Sequence, residues 1–287
     1  MSQEHGQQFL VQLSRIKHDL PFSPGLLRKL FAQTDEQSST GIHEIASTVS
    51  KDQGLTARLL SMANSAFYGL QSQVTNVQRA LTVLGLKEVR TMVVALGVKA
   101  LAGKQPVPEG FDLNEYWRHQ FLVGLVAKAV ARRTRKADPE NLFTAGLLHE
   151  LGKLIAALYR PEDWRAVQAL KAGEGLTDSE AEERHWGLDH GVVGALVLKS
   201  WDLPPELCEP VNWHHSPAAA PEYGVQAAIV CLADGLVRAG LESSGELAEG
   251  ARQACADLGV DLEAARTDAA AALGDESVDG FVRLLAA

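Results

Sequence analysis

Cysteine is nearly missing from this chain of 287 residues: Cys208, Cys231 and Cys255 are far apart, odd in number and form no CxxC pair. Such a set excludes a disulfide framework and points to a reducing, cytoplasmic compartment. Aromatic residues are scarce at 6%, while alanine and leucine, both strong helix formers, dominate. Apolar–polar alternation, the mark of half-buried strands, is almost absent. No repeat and no low-complexity linker interrupts the sequence. The longest apolar runs, Phe121 to Ala127 and Ala227 to Ala233, fall well short of the roughly 18–20 residues that span a bilayer. Met1 to Leu20 is polar and has no signal-peptide core, so no membrane association is expected.

Positive charge is also in short supply. The net charge is −9, but it is uneven. Residues 1–110 carry 11 basic and 8 acidic side chains, residues 111–240 carry 13 and 18, and residues 241–287 carry 3 and 10. An acidic protein is a poor non-specific binder of polyphosphate. The stretch Ile42 to Ala63 has a helix–Gly–helix pattern that faintly resembles a helix-turn-helix. Its second helix offers only Thr56, Arg58 and Asn64 to read bases, so DNA is disfavoured as a partner.

What remains is helical periodicity, and the expected fold class is all-α. Pro24 or Ser23 opens a first helix, and Ile42–Val49, Leu55–Ala63, Val77–Leu84 and Val89–Leu101 follow. Pro106, Pro108 and the flanking glycines mark a boundary. Beyond it the pattern predicts helices over Leu113–Arg133, Pro139–Tyr159, Trp164–Lys171, Thr177–Trp186, His190–Ser200, Pro205–His215 and Val225–Ala239. The chain divides into residues 1–105, 110–240 and an acidic, Ala-rich tail over 241–287. In that tail Leu247, Ala251, Ala254 and Leu258 suit an amphipathic helix docked on the body or on a second subunit, with a solvent-exposed cap as the default. The run Asn64 to Gly69 reads as tight packing of small residues, or as a partner surface made by Phe67 and Tyr68.

Six of the nine histidines lie after residue 110: His119, His149, His185, His190, His214 and His215. On the expected 139–159 helix, Leu147, Leu148, Leu151, Leu154, Ile155 and Leu158 share one stripe. His149 lies nearly opposite, beside Ala145, Gly146, Gly152, Lys153 and Ala156. Small residues let another backbone approach closely, so this second face should also be buried, with a polar group at its centre that needs partners. His119 sits in an apolar helix, His190 opens one, and Asp234 interrupts an apolar run. Imidazole and carboxylate are ligands for Zn, Fe or Mn, and such a cluster would suit one ion or two. The plainer alternatives stay open. A single histidine in an apolar helix is commonly a satisfied core residue, and Asp234 could simply pair with Arg238 at i+4. His185, in a Glu-rich helix, reads as surface, and His5, His18 and His43 show no ligand pattern.

The run Leu147-Leu148-His149-Glu150-Leu151-Gly152-Lys153 resembles the His-Asp motif of HD-domain phosphohydrolases. More of the chain, from about Leu20 to His215, resembles the HDOD domain, a bacterial signalling relative of HD and HD-GYP proteins. The segments that carry the likeness are Ala63 to Gly69, Ala80 to Leu86, Tyr116 to His119, Phe143 to Lys153, Asp189 to Ala195 and Trp201 to Pro204. The resemblance implies an N-terminal helical bundle followed by an HD-like helical bundle. It implies metal ligands at His119, His149, Glu150 and Asp234, further histidines at His190, His214 and His215, and a phosphate-contacting lysine at Lys153.

Two differences from the motifs shape the functional expectation. Glu150 stands where HD enzymes have aspartate, and one extra methylene shifts a carboxylate by about 1.5 Å, against a tolerance of roughly 0.5 Å for a catalytic site. The run Ser216 to Pro221 lacks a Gly-Tyr-Pro signature. The resemblance therefore implies a regulatory, non-catalytic module with a retained divalent metal, acting through signalling proteins or a nucleotide second messenger, with a homodimer as a further option. The alternative is a metal-dependent phosphohydrolase acting on a nucleotide or cyclic dinucleotide, in which Glu150 and Lys153 would be catalytic.

Overall fold

The computed structural model of the chain describes residues 24–34, 38–65, 68–241, 245–275 and 277–286, together with Phe9, Val11 and Leu13. His5, His18 and Phe67, named above, lie outside the described residues. Among the described residues there is no strand, and the fold is all-α. The first part contains α1 (Pro24–Thr34), α2 (Ile42–Ser50), α3 (Gln53–Ala63), α4 (Val77–Leu84) and α5 (Leu86–Ala102). Next come α6 (Leu113–Thr134), α7 (Pro139–Leu148), α8 (Leu151–Tyr159), α9 (Pro161–Glu174), α10 (Asp178–Trp186), α11 (His190–Ser200), α12 (Pro205–Trp213) and α13 (Gly224–Leu241). The tail forms α14 (Glu249–Leu258), α15 (Leu262–Leu273) and α16 (Ser277–Ala286).

Local chemistry sets the helix starts. The Asp112 carboxylate accepts from the backbone N–H groups of Asn114 and Glu115, and Asp138 does the same for Glu140 and Asn141. Thr177 and Glu180 form a reciprocal capping box, and Asp189 caps α11 through the N–H of Val192. Each such cap satisfies an orphan donor and is worth about 1 kcal/mol. Gly187, with φ +76°, ends α10 in the left-handed conformation. That turn delivers the chain directly into His190.

α6 is the axis of the molecule. Trp117, Val123, Val126, Ala127 and Val130 on it are fully buried, and it packs against α7, α13, α15 and α16. Gly124 and Gly146 permit the α6–α7 approach: a Cβ on Gly146 would lie 2.8 Å from the Gly124 Cα. The first bundle joins α7 through the Lys87–Asp138 ion pair, a hydrogen bond from Arg90 to Asn141, and a 2.7 Å contact between the hydroxyls of Thr91 and Thr144. These three contacts run along the helix that ends at His149.

Several expectations change in the fold. The helix expected over 139–159 is broken at His149-Glu150, where Glu150 takes φ −102°, ψ 19°. The same stretch, Pro139–Tyr159, is long and apolar enough to cross a membrane by length and composition, which the run-length reading missed, and 89% of its most apolar window is buried inside the protein. Its apolarity fills the core. The tail is three helices and packs on the body, in place of the solvent-exposed default. Leu247, Ala251, Ala254 and Leu258 are buried as their spacing predicts. Phe281 stacks on Phe121 at 4.0 Å between ring centroids, and Arg133 grips Asp268 with two hydrogen bonds of 2.8 and 2.9 Å. Tyr68 is half-buried and its hydroxyl donates to Glu88 at 2.9 Å, which favours packing for this residue. His185 is only 19% exposed and lies 3.0 Å from Asp163, so it is not a free surface histidine.

Candidate metal centre

Five helical segments converge on one side-chain cluster. α6 supplies His119, the α7–α8 break supplies His149 and Glu150, α11 begins with His190, the end of α12 supplies His214 and His215, and α13 supplies Asp234. Neighbouring imidazoles form a chain. Ring centroids are 5.3 Å apart for His119–His149, 5.1 Å for His149–His214, 5.3 Å for His190–His214 and 4.7 Å for His190–His215. All seven expected ligand residues lie in this arrangement. They fall into two groups, His119/His149/Glu150/Asp234 and His190/His214/His215, and within each group one ligand atom per residue lies within 4.8 Å of the others.

Close backbone packing makes this convergence possible. A Cβ on Gly152 would sit 2.0 Å from the His190 carbonyl oxygen, and one on Gly191 would sit 2.8 Å from the Asn212 carbonyl oxygen. The small residues beside His149 thus let α8 and α11 touch backbone to backbone. His149, His190 and His214 are buried to within 1% exposure, and Glu150 and Asp234 are buried as well. His215 is at the exposed rim.

Three of the rings are held by their Nδ1 atoms. His149 Nδ1 lies 2.7 Å from the Gly146 carbonyl, and His214 Nδ1 lies 2.7 Å from the Val211 carbonyl. A carbonyl only accepts, so each Nδ1 carries the proton and each Nε2 is left with a lone pair. His190 makes the corresponding bond to buried Glu182, also at 2.7 Å. The Nε2 atoms of His149 and His214 are buried without any hydrogen-bond partner. Buried polar atoms are rarely left so, and an outer partner that fixes the tautomer is the usual companion of a metal-ligating histidine. The donor set therefore fits a divalent ion that takes imidazole nitrogen.

The electrostatics agree. Burial pushes the His190 imidazole down to about 3 and His214 well below the usual histidine range, with the neighbouring histidines adding to the effect on His214. Both rings are neutral near pH 7, which is the ligating form. Burial raises Glu182 to about 8, so it hydrogen-bonds to His190 from a site that disfavours its charge. Burial alone would also raise Glu150 and Asp234. Lys153, His119 and Arg238 outweigh it at Glu150, and Arg238 and His119 outweigh it at Asp234, so both stay ionised.

The two carboxylates are not equivalent. Asp234 Oδ1 lies 2.9 Å from His119 Nε2 and 3.6 Å from His149 Nε2. Glu150 is farther from both rings, at 3.9 and 4.0 Å. Its Oε1 accepts from Lys153 Nζ at 2.5 Å and from Arg238 Nη2 at 2.5 Å. Arg238 also donates through Nε to Asp234 at 2.9 and 3.0 Å. The i+4 pairing of Asp234 with Arg238 and the clustering of Asp234 with histidines are therefore both present. Lys153 is shared between Glu150 and Asp178, the latter at 2.8 Å. Sequence reasoning missed Glu182, Asp178 and the reach of Arg238 to Glu150.

Fold and centre together define an HD-like helical protein with a two-part imidazole–carboxylate cluster. The chain belongs to the HDOD domain family, which it matches over residues 20–217. Two solved structures resemble it along nearly their whole length. One is a proposed phosphohydrolase from Shewanella amazonensis SB2B, 26% identical, covering 96% of this chain and 98% of that one with a TM-score of 0.72. The other is an HDOD domain protein of unknown function from Geobacter sulfurreducens, 25% identical, covering 97% and 98% with a TM-score of 0.71. An uncharacterized protein of Treponema pallidum (strain Nichols) is 23% identical over 222 residues. That match takes in 77% of this chain and spans only 42% of the relative's length.

Proposed function

We propose that the chain is a regulatory HDOD module that acts by binding, with a divalent metal (Fe, Mn or Zn) held by its imidazole cluster, and that it does not hydrolyse phosphoesters. The observation that carries this reading is the engagement of Glu150. Its Oε1 takes two cationic donors at 2.5 Å, and its carboxylate stays 3.9–4.0 Å from the nearest histidine nitrogens. A carboxylate so held is a structural anchor rather than a free general base. Lys153 is committed in the same way, to Glu150 and Asp178. Signalling proteins or a nucleotide second messenger are the partners in this reading. DNA is disfavoured by the acidic net charge of −9, and Asn64, which caps the end of α3, spends its amide on Leu60 and Val74.

The second reading is a metal-dependent phosphohydrolase, favoured by the two-part donor set. A bound divalent ion would supply Lewis acidity toward a phosphoryl oxygen, held by His119, His149 and Asp234 or by His190, His214 and His215. The test is a panel of phosphodiesters and nucleotides offered to metal-loaded protein. The regulatory reading expects no turnover above the level of the His149→Ala variant. Turnover that vanishes in that variant would establish the hydrolase.

A further inference from the structure

We infer that Arg238 is a built-in cation in the carboxylate half of the centre, so that the chain loads one divalent ion, on His190, His214 and His215, and keeps the other half closed to a second. The inference rests on the reading of the imidazole cluster as an ion site, and adds which half is filled and why.

The guanidinium bridges the only two carboxylates of the donor set. Through Nε it meets both oxygens of Asp234, and through Nη2 it meets Glu150. Lys153 adds a second cation on the same Glu150 oxygen. Two buried negative charges thus face two positive charges before any ion arrives. His119 Nε2 is itself 2.9 Å from Asp234. A divalent ion entering there would have to break this pairing and stand beside two cations in a buried site, where like charges are costly. Arg238 is fixed from both sides, since its partners come from α13 and from the α7–α8 break.

The other half holds no carboxylate–cation pair among its ligand residues. His190, His214 and His215 bring no carboxylate and no cation to the centre itself. His190 and His214 have their Nδ1 atoms anchored, by Glu182 and by the Val211 carbonyl. The His214 Nε2 is buried and unpartnered. His215 Nε2 is hydrogen-bonded to His190 Nε2 at 2.9 Å. Because His190 Nδ1 already donates to Glu182, His215 is the donor, and an ion entering here takes the place of that one proton. A surface cleft lined by Glu183, Asp189 and Trp213 opens onto His215 at the rim of this half, and its two acids favour the approach of a cation. Nitrogen-only ligation suits Zn or Fe better than Mg or Ca.

Titration with Zn(II), followed by calorimetry and by elemental analysis after dialysis, tests the inference on the full chain. The wild type is expected to take one ion, His214→Ala none, and Arg238→Gln and Arg238→Met two. The two arginine variants are checked for native helicity, and either one suffices. Two ions in the wild type would overturn the role of Arg238 while leaving the ion centre standing. So would a folded arginine variant that stays at one. No ion in any of the proteins would overturn the centre itself along with the inference.

Discussion

Glu182 accepts two hydrogen bonds from one residue, His190: the backbone N–H and the ring Nδ1 both lie 2.7 Å from its Oε2. This pairing fixes the start of α11 and aims His190 Nε2 into the cluster. Glu182→Ala leaves two buried donors unpaired and frees the ring. It should weaken metal binding by about 10–100-fold, the usual cost of losing an outer partner. Glu182→Gln, which keeps an acceptor oxygen, should weaken it less. Isothermal titration with Zn(II) distinguishes these outcomes. Equal affinity in all three proteins would remove Glu182 from the centre.

Gly152 is the contact point between α8 and α11. A Cβ there would meet the His190 carbonyl oxygen at 2.0 Å, and backbone cannot yield as a flexible side chain does. Gly152→Ala should destabilise the fold by about 3 kcal/mol, the upper end of overpacking costs, and displace His190. Denaturant melts measure the first effect and Zn(II) affinity the second. Gly173→Ala, at a helical position with open space around its Cβ site, serves as the control: it should leave Zn(II) affinity unchanged and stabilise the fold slightly, by up to about 1 kcal/mol.

The metal-free protein should lose stability on acidification from about pH 6.5 downward. His190 and His214 have folded values depressed by burial, His190 to about 3, from an ordinary 6.5. The unfolded chain therefore binds protons that the folded chain refuses, and stability falls as pH drops through this window. Glu182 works in the opposite sense. Its folded value is raised from 4.5 to about 8, so its contribution is full below 4.5 and is lost as pH rises through 8. The metal-free melting temperature should thus peak between these limits, near neutrality. A melting temperature that keeps rising down to pH 4 would contradict the buried, neutral state of these histidines.

The tail is part of the core. Phe281 is 4% exposed and stacks on Phe121, which is 1% exposed. Phe281→Ala should cost about 3 kcal/mol, as large-to-small core substitutions do, without changing the number of ions bound. Thermal unfolding and metal analysis on the same sample check both halves of this statement.

Much of this was legible in the sequence. Val77–Leu84 and His190–Ser200 have the bounds that periodicity and punctuation predict, because a clear cap or stop stands at each end. The small residues around His149 correctly signalled a second buried face, since little besides a glycine permits backbone contact. The break at His149-Glu150 was not legible. The apolar stripe runs through it without interruption, and the kink is held by tertiary partners that periodicity does not contain. Glu182 was hidden for a similar reason. In the Glu-rich α10 it looks like one more solvent-facing acid, and only the left-handed turn at Gly187 folds His190 back onto it. Arg238 offered a sufficient local explanation, the i+4 pair with Asp234, while its second partner, Glu150, lies 88 residues earlier.

Anomalous diffraction from crystals of the Zn(II)-loaded protein shows which half of the centre holds the ion. One strong zinc peak is expected at about 2.0–2.1 Å, the usual Zn–N distance, from the Nε2 atoms of His190, His214 and His215, with Arg238 still bridging Glu150 and Asp234. A peak bound by Glu150 and Asp234 with Arg238 displaced, or no peak within reach of any of these histidines, would contradict this expectation.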